Sequence, residues 1–215
     1  SPEHLFAAIP ASAKTLTVNN GATFNLGTGN CTVAGNVFAD GAITGTGAVA
    51  IATPAQVRGN FPSLILSAKI TQTAVVTATG NVTVTGPAGS YVISGQSLTM
   101  GGNLGVQGGA RLVMLNSADL VTVTGNAVFS GGFELDSLDA GVLRIGGNLT
   151  QVGNGGASTD SYHTSATHQT IFTGNNPTIT FGTPGDFPGS SHFQQFSWTG
   201  TGTLNLTSDA YAHVS

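Results

Sequence analysis

Residues 143–151 read Leu143-Arg144-Ile145-Gly146-Gly147-Asn148-Leu149-Thr150-Gln151. Leu143 and Ile145 alternate with polar or small neighbours, the period-2 pattern of a strand with one buried face. The Gly147-Asn148 pair interrupts that pattern, and Leu149 restarts it. The same unit recurs along the chain. Gly-Asn stands at 35–36, 59–60, 80–81, 102–103, 125–126 and 147–148, at spacings of 24, 21, 22, 23 and 22 residues. The position four before each glycine holds Cys31, Ala55, Val76, Leu98, Val121 and Leu143. The position two before holds Val33, Val57, Ala78, Met100, Val123 and Ile145, and the position after each Asn holds Val37, Phe61, Val82, Leu104, Ala127 and Leu149. All three columns are apolar, and the columns between them are mostly polar or small.

A period near 22 residues is too short for helix-containing repeats of 33 residues or more and suits short strands joined by bends. In the fifth repeat the strands read as Asn126 to Phe129, Phe133 to Leu138 and Val142 to Ile145, with bends at Gly131-Gly132 and Gly141. Stacked coils would place parallel strands about 4.8 Å apart. The fold predicted is therefore all-β, a right-handed parallel β-helix (β-solenoid) of roughly nine coils, the hand following the rule for parallel crossovers. Asn36, Asn60, Asn81, Asn103, Asn126 and Asn148 then share one bend. Asn tolerates left-handed backbone, and stacked side-chain amides can bond the neighbours above and below, so these six are expected to form a structural ladder.

Composition excludes several classes. Five Lys/Arg against nine Asp/Glu in 215 residues, net charge −4, cannot make a nucleic-acid footprint or a basic membrane-surface helix. Hydrophobic residues at 40% rule out disorder by composition, and no apolar run approaches a membrane span. One cysteine, Cys31, excludes an intramolecular disulfide framework and a cysteine-based zinc site, and reads as a buried free thiol. The absence of an initiator Met makes Ser1 a processed terminus or the edge of a fragment.

These repeats, with segments such as Leu16 to Leu26 and Leu143 to Gln151, resemble secreted bacterial parallel β-helix proteins: the passenger and stalk regions of adhesins and autotransporter-like surface proteins. The resemblance covers residues 14–153. It implies a right-handed β-helix in an extracellular, cell-surface setting and brings no catalytic motif.

Three parts are expected: an N-terminal lead or cap over 1–13 with Leu5, Phe6 and Ile9, regular coils over 14–153, and less regular coils over 154–215. The last part carries Phe172, Phe181, Phe187, Phe193, Phe196 and Trp198, an insertion near 182–192, and strand-like runs Thr178 to Phe181 and Thr201 to Leu206. Its aromatics suit a plug for the open end, since terminal repeats need capping.

Few residues suggest chemistry. Glu134 and Asp136 flank Leu135 and on a strand would point to one side about 6.5–7 Å apart, a spacing glycosidases use. His163, His168 and His192, near Asp160 and Asp186, are the candidate metal ligands, though a spacing of five puts two strand residues on opposite faces. No metal or cofactor is otherwise indicated. Phe193, Phe196 and Trp198 are candidate binding aromatics. Thr-x-Thr pairs such as Thr77/Thr79, Thr83/Thr85 and Thr122/Thr124 could form an ice-matching face, interrupted on this alignment by Arg58 and Arg144.

The leading expectation is a non-enzymatic structural or adhesive segment of a bacterial surface protein or filament. Its partners would be other copies of itself, stacked end to end, or surface glycans, without nucleic acid or membrane insertion. The alternatives are a carbohydrate-binding or polysaccharide-degrading β-helix and an ice-binding protein.

Overall fold

The computed structural model describes residues 14–131, 136–153, 162–186 and 190–213. These form a parallel β-solenoid of about eight turns, about 22 residues per turn, without a helix. Three faces enclose the core. The first stacks nine parallel strands: Cys31–Val33, Val49–Ile51, Leu64–Leu66, Val82–Thr85, Leu104–Gln107, Ala127–Ser130, Leu149–Val152, Thr178–Phe181 and Asn205–Leu206. The second face carries an inward column in which Phe61, Ala78, Met100, Val123, Ile145, Phe172 and Trp198 are successive register partners. The third is built from Lys69, Ser90 and Arg111 and the residues that follow them, and continues as single bridges Met114 to Leu138 and Leu138 to Thr164.

Alternation decides what goes inside. Val82 and Val84 are fully buried while Thr83 and Thr85 face outward, and Leu104, Val106, Ala127, Phe129 and Leu149 continue the buried columns. Several polar side chains admitted to the interior are bonded. Tyr91 Oη donates to Gln72 Oε1 (3.0 Å), and Gln72 Nε2 donates to the Ser97 carbonyl (2.6 Å). Tyr162 Oη and Thr170 Oγ1 lie 2.6 Å apart. Near the C-terminal end the core turns aromatic: Phe193 lies 5.6 Å from Tyr162 and 5.1 Å from Phe181, ring to ring.

Turn length is uneven, and this corrects the repeat alignment over the first coils. Cys31 pairs with Val49, Val49 with Leu64 and Leu64 with Val82. These early coils take 18, 15 and 18 residues on that face. The next steps, measured at the corner before it, are 22, 23, 22 and 30 residues. The early coils are shorter because Asn36–Thr44, Ala55–Phe61 and Lys69–Ala78 run unbroken around the corner between the third and second faces. They bend there through register shifts at Ala39/Ala42 and Val57/Gly59, Gly59 having φ +103°. Later coils insert a loop at this corner, such as residues 115–119. Gly35-Asn36 and Gly59-Asn60 therefore sit in or beside strands, out of phase with the four later pairs. Cys31 and Val33 belong to the first face and Ala55 and Val57 to the third, instead of sharing a column with Leu98 and Met100.

Strand limits elsewhere follow the alternation closely. Val142–Ile145 and Thr178–Phe181 form as expected, the expected strand from Asn126 runs Ala127–Ser130, and Thr201 to Leu206 shortens to Asn205–Leu206. The expected strand Phe133 to Leu138 does not form over its second half, where Asp136 and Ser137 lie in a turn and Leu138 makes isolated bridges; residues 133–135, the lead 1–13 and Phe187 lie outside the described residues.

Candidate functional site

The corner before the first face holds the best-ordered polar column. Asn103 N–H donates to Asn81 Oδ1, Asn126 N–H to Asn103 Oδ1 and Asn148 N–H to Asn126 Oδ1, each at 2.8 Å. Below them Asn81 N–H donates to Ser63 Oγ (3.1 Å), and above them Thr178 N–H donates to Asn148 Oδ1 (2.8 Å). The bonds run from main chain to side chain, not from amide to amide, and the asparagines are exposed. The reason is local. Each corner Gly N–H donates to a carbonyl of the coil below, as Gly125 does to Gly102, and the residue after each Asn donates to the coil above, as Leu104 does to Asn126. The N–H of the Asn between them takes the side-chain oxygen from below, so no main-chain donor is orphaned. Asn36 and Asn60 lie outside this column. Asn36 Oδ1 accepts from Gln56 N–H (2.8 Å). Asn30, absent from the sequence alignment, occupies the corner and accepts from Ala48 N–H (2.9 Å).

Of the acidic pair only Asp136 falls within the described residues, and it is not on a strand. Asp136 is exposed in a turn at φ +57°, and Glu134 lies outside the described residues. Asp139 accepts a hydrogen bond from Ser165 Oγ. The histidines divide. His168 is buried, its Nδ1 2.9 Å from the Ala140 carbonyl, and burial lowers its pKa to about 4. His163 and His192 meet edge to face, ring centres 4.3 Å apart, on adjacent coils, and His213 meets His192 in the same way at 4.9 Å. His213 Nε2 is 3.1 Å from Asp186. Burial, then the neighbouring His163 and His213, lowers His192 to about 4. Among the described residues no three His, Cys, Asp or Glu side chains are placed to hold a metal ion. Phe193 is a core residue at 2% exposure, whereas Phe196 and Trp198 are half-buried against the core. Trp198 Nε1 donates to the Gly174 carbonyl (3.1 Å). Cys31 is a free, buried thiol whose burial raises its pKa.

The outward column of the second face reads, rung by rung, Thr23, Ala42, Asn60, Thr77, Thr99, Thr122, Arg144, Ile171 and Ser197. Arg58 is not in it. Arg58 Nε and Nη2 donate to the two carboxylate oxygens of Asp40, at 2.9 and 2.7 Å, and the guanidinium lies 4.3 Å from the Phe38 ring centre. Hydrogen bonds from Arg58 hold the Asp40 carboxyl below the usual carboxylate range. Sequence reading missed this pair because residues 18 apart meet only if the coil is short. The counterpart signal was present: Arg58 and Asp40 are among very few charges.

No family model, curated protein or solved structure matches this chain. Its function must be argued from its own surfaces. These are three sheet faces, the bent corner holding Arg58 and Asp40, and the end of the stack.

Proposed function

We propose that this chain is a non-enzymatic structural segment of an extracellular bacterial surface protein or filament, and that its coils stack end to end with those of another copy. The observation that supports this is the C-terminal end of the stack. Among the described residues, nothing pairs with the outer edges of Gln195–Trp198 and Asn205–Leu206. Between those edges lies an apolar cavity of about 140 Å³, lined by Ile179, Phe193, Phe196, Leu204, Leu206 and Tyr211. Leu206 is 54% and Tyr211 43% exposed. Unpaired strand edges over exposed apolar surface are the structural requirement for adding another strand. The strands of the first coil, Thr15–Val18, Thr23–Asn25 and Cys31–Val33, lie at the opposite end of the same parallel sheets. Their union with the last coil of another copy would be head to tail. Such a contact leaves a free end at each side and repeats into a filament.

Sedimentation velocity and electron microscopy across a concentration series test this. Wild-type protein should form linear assemblies, and Leu206→Asp should leave folded monomers. Wild-type protein that stays monomeric at the highest concentration would sink the reading.

A further inference from the structure

The corner where the early strands bend is concave. Two adjoining clefts of about 460 and 400 Å³ share Asn20, Asp40 and Asn60 in their walls. Arg58 and Val75 complete the first cleft. The clefts cross successive coils along the solenoid axis, and their size is that of small-ligand sites. We propose that this groove binds a neutral oligosaccharide, held by the Arg58–Asp40 pair and the amides of Asn20 and Asn60.

The chemistry of the lining selects the ligand. Arg58 and Asp40 are the charged residues of the groove, and they neutralise each other through two hydrogen bonds. A ligand with net charge of either sign therefore finds no complementary field. The pair nonetheless retains unused capacity: a guanidinium has five N–H donors and a carboxylate about four acceptor sites, of which two of each are engaged. The Asn amides add both a donor and an acceptor each. Fixed donors and acceptors side by side match adjacent hydroxyl groups, which both give and receive hydrogen bonds. Phe38 behind the guanidinium restricts its position, which lowers the ordering cost of binding. Val75, 57% exposed, with Ala74 beside it, offers apolar surface for the C–H face of a sugar ring.

A peptide strand fits less well. Asn36–Thr44 and Ala55–Phe61 are each paired on both sides, so the groove presents no free sheet edge for strand addition.

Isothermal calorimetry with cellohexaose, mannohexaose and xylohexaose tests the proposal, with tri-galacturonate as the charged comparison. At least one neutral hexaose should bind. Asp40→Asn and Arg58→Gln should each weaken binding about tenfold or more, a difference of about 1.4 kcal/mol. Asn20→Ala, in an exposed turn, should weaken it without loss of fold and serves if the pair variants do not fold. Thr150→Ala, on the first face and away from this corner, should bind as wild type. Absence of binding by all three neutral hexaoses, preference for tri-galacturonate, or affinity unchanged in Asn20→Ala and in the folded pair variants would overturn it. The site does not depend on end-to-end stacking, so Leu206→Asp should bind the sugar normally whatever its assembly state.

Discussion

Gly147 and Asn126 explain why glycine and asparagine travel together in the repeat. A Cβ on Gly147 would overlap Asn126 Oδ1 and the Gly125 carbonyl of the coil below. Gly125 stands in the same relation to Asn103, and Gly102 to Asn81. The asparagine side chain reaches toward the next coil through the space the glycine leaves open, and meets the next asparagine's N–H. Gly147→Ala should therefore destabilise the protein by about 2 kcal/mol or more, and Asn126→Ala by about 1 kcal/mol through the lost bond to Asn148. Because the two groups compete for one space, the double variant should lose less than the sum of the single variants in denaturant titrations. Strict additivity would show that the column is not interlocked.

Among the elements, the last coils differ in kind from the regular ones. Where middle coils bury hydrophobic columns, these also bury histidines: His163, His168 and His192 are all buried. His168 faces the Ala140 carbonyl and Asp139, while His192 faces His163, His213, Asp186 and the Gly185 backbone. Both have pKa values lowered from 6.5 to about 4. Between those values the unfolded chain binds protons that the folded coils refuse, so stability falls as pH drops from about 6.5 toward 4 and is fully present above 6.5. Amide exchange, corrected for intrinsic rates, should show strands Gln169–Phe172 and Gln195–Trp198 losing protection across that window before the middle strands Val82–Thr85 and Leu104–Gln107. Replacing both His168 and His192 by Gln should flatten the response. Equal loss in all coils would contradict a local histidine origin.

At the scale of the whole molecule, about eight turns at about 4.8 Å make a stack roughly 40 Å long. The nine strands of the first face contain no charged residue, and the residues lining the C-terminal cavity are uncharged as well. End-to-end association on the proposed reading would draw on apolar burial and main-chain bonds. High concentrations of sodium chloride should therefore leave assembly unchanged or strengthen it, since screening weakens charge pairs and not apolar contact. Light scattering across a salt series checks this, and dissolution of assemblies by salt would point to ion pairs instead.

The sequence alone determined the class of fold, because inward apolar columns and corner Gly-Asn pairs are local requirements repeated in each regular coil from Asn81 to Asn148. It also accounts for the scarcity of charge: inward positions and tight corners leave little surface for ionic groups. Tertiary structure decided the phase of the early coils. Turn length there depends on whether a strand bends around a corner or breaks at it, and Gly59 and its register shift leave no periodic trace. It also decided which polar groups meet. Arg58 reaches Asp40, and Asn30 takes a corner that Asn36 was expected to hold, because contacts between coils follow the length of each turn and not the spacing of a motif.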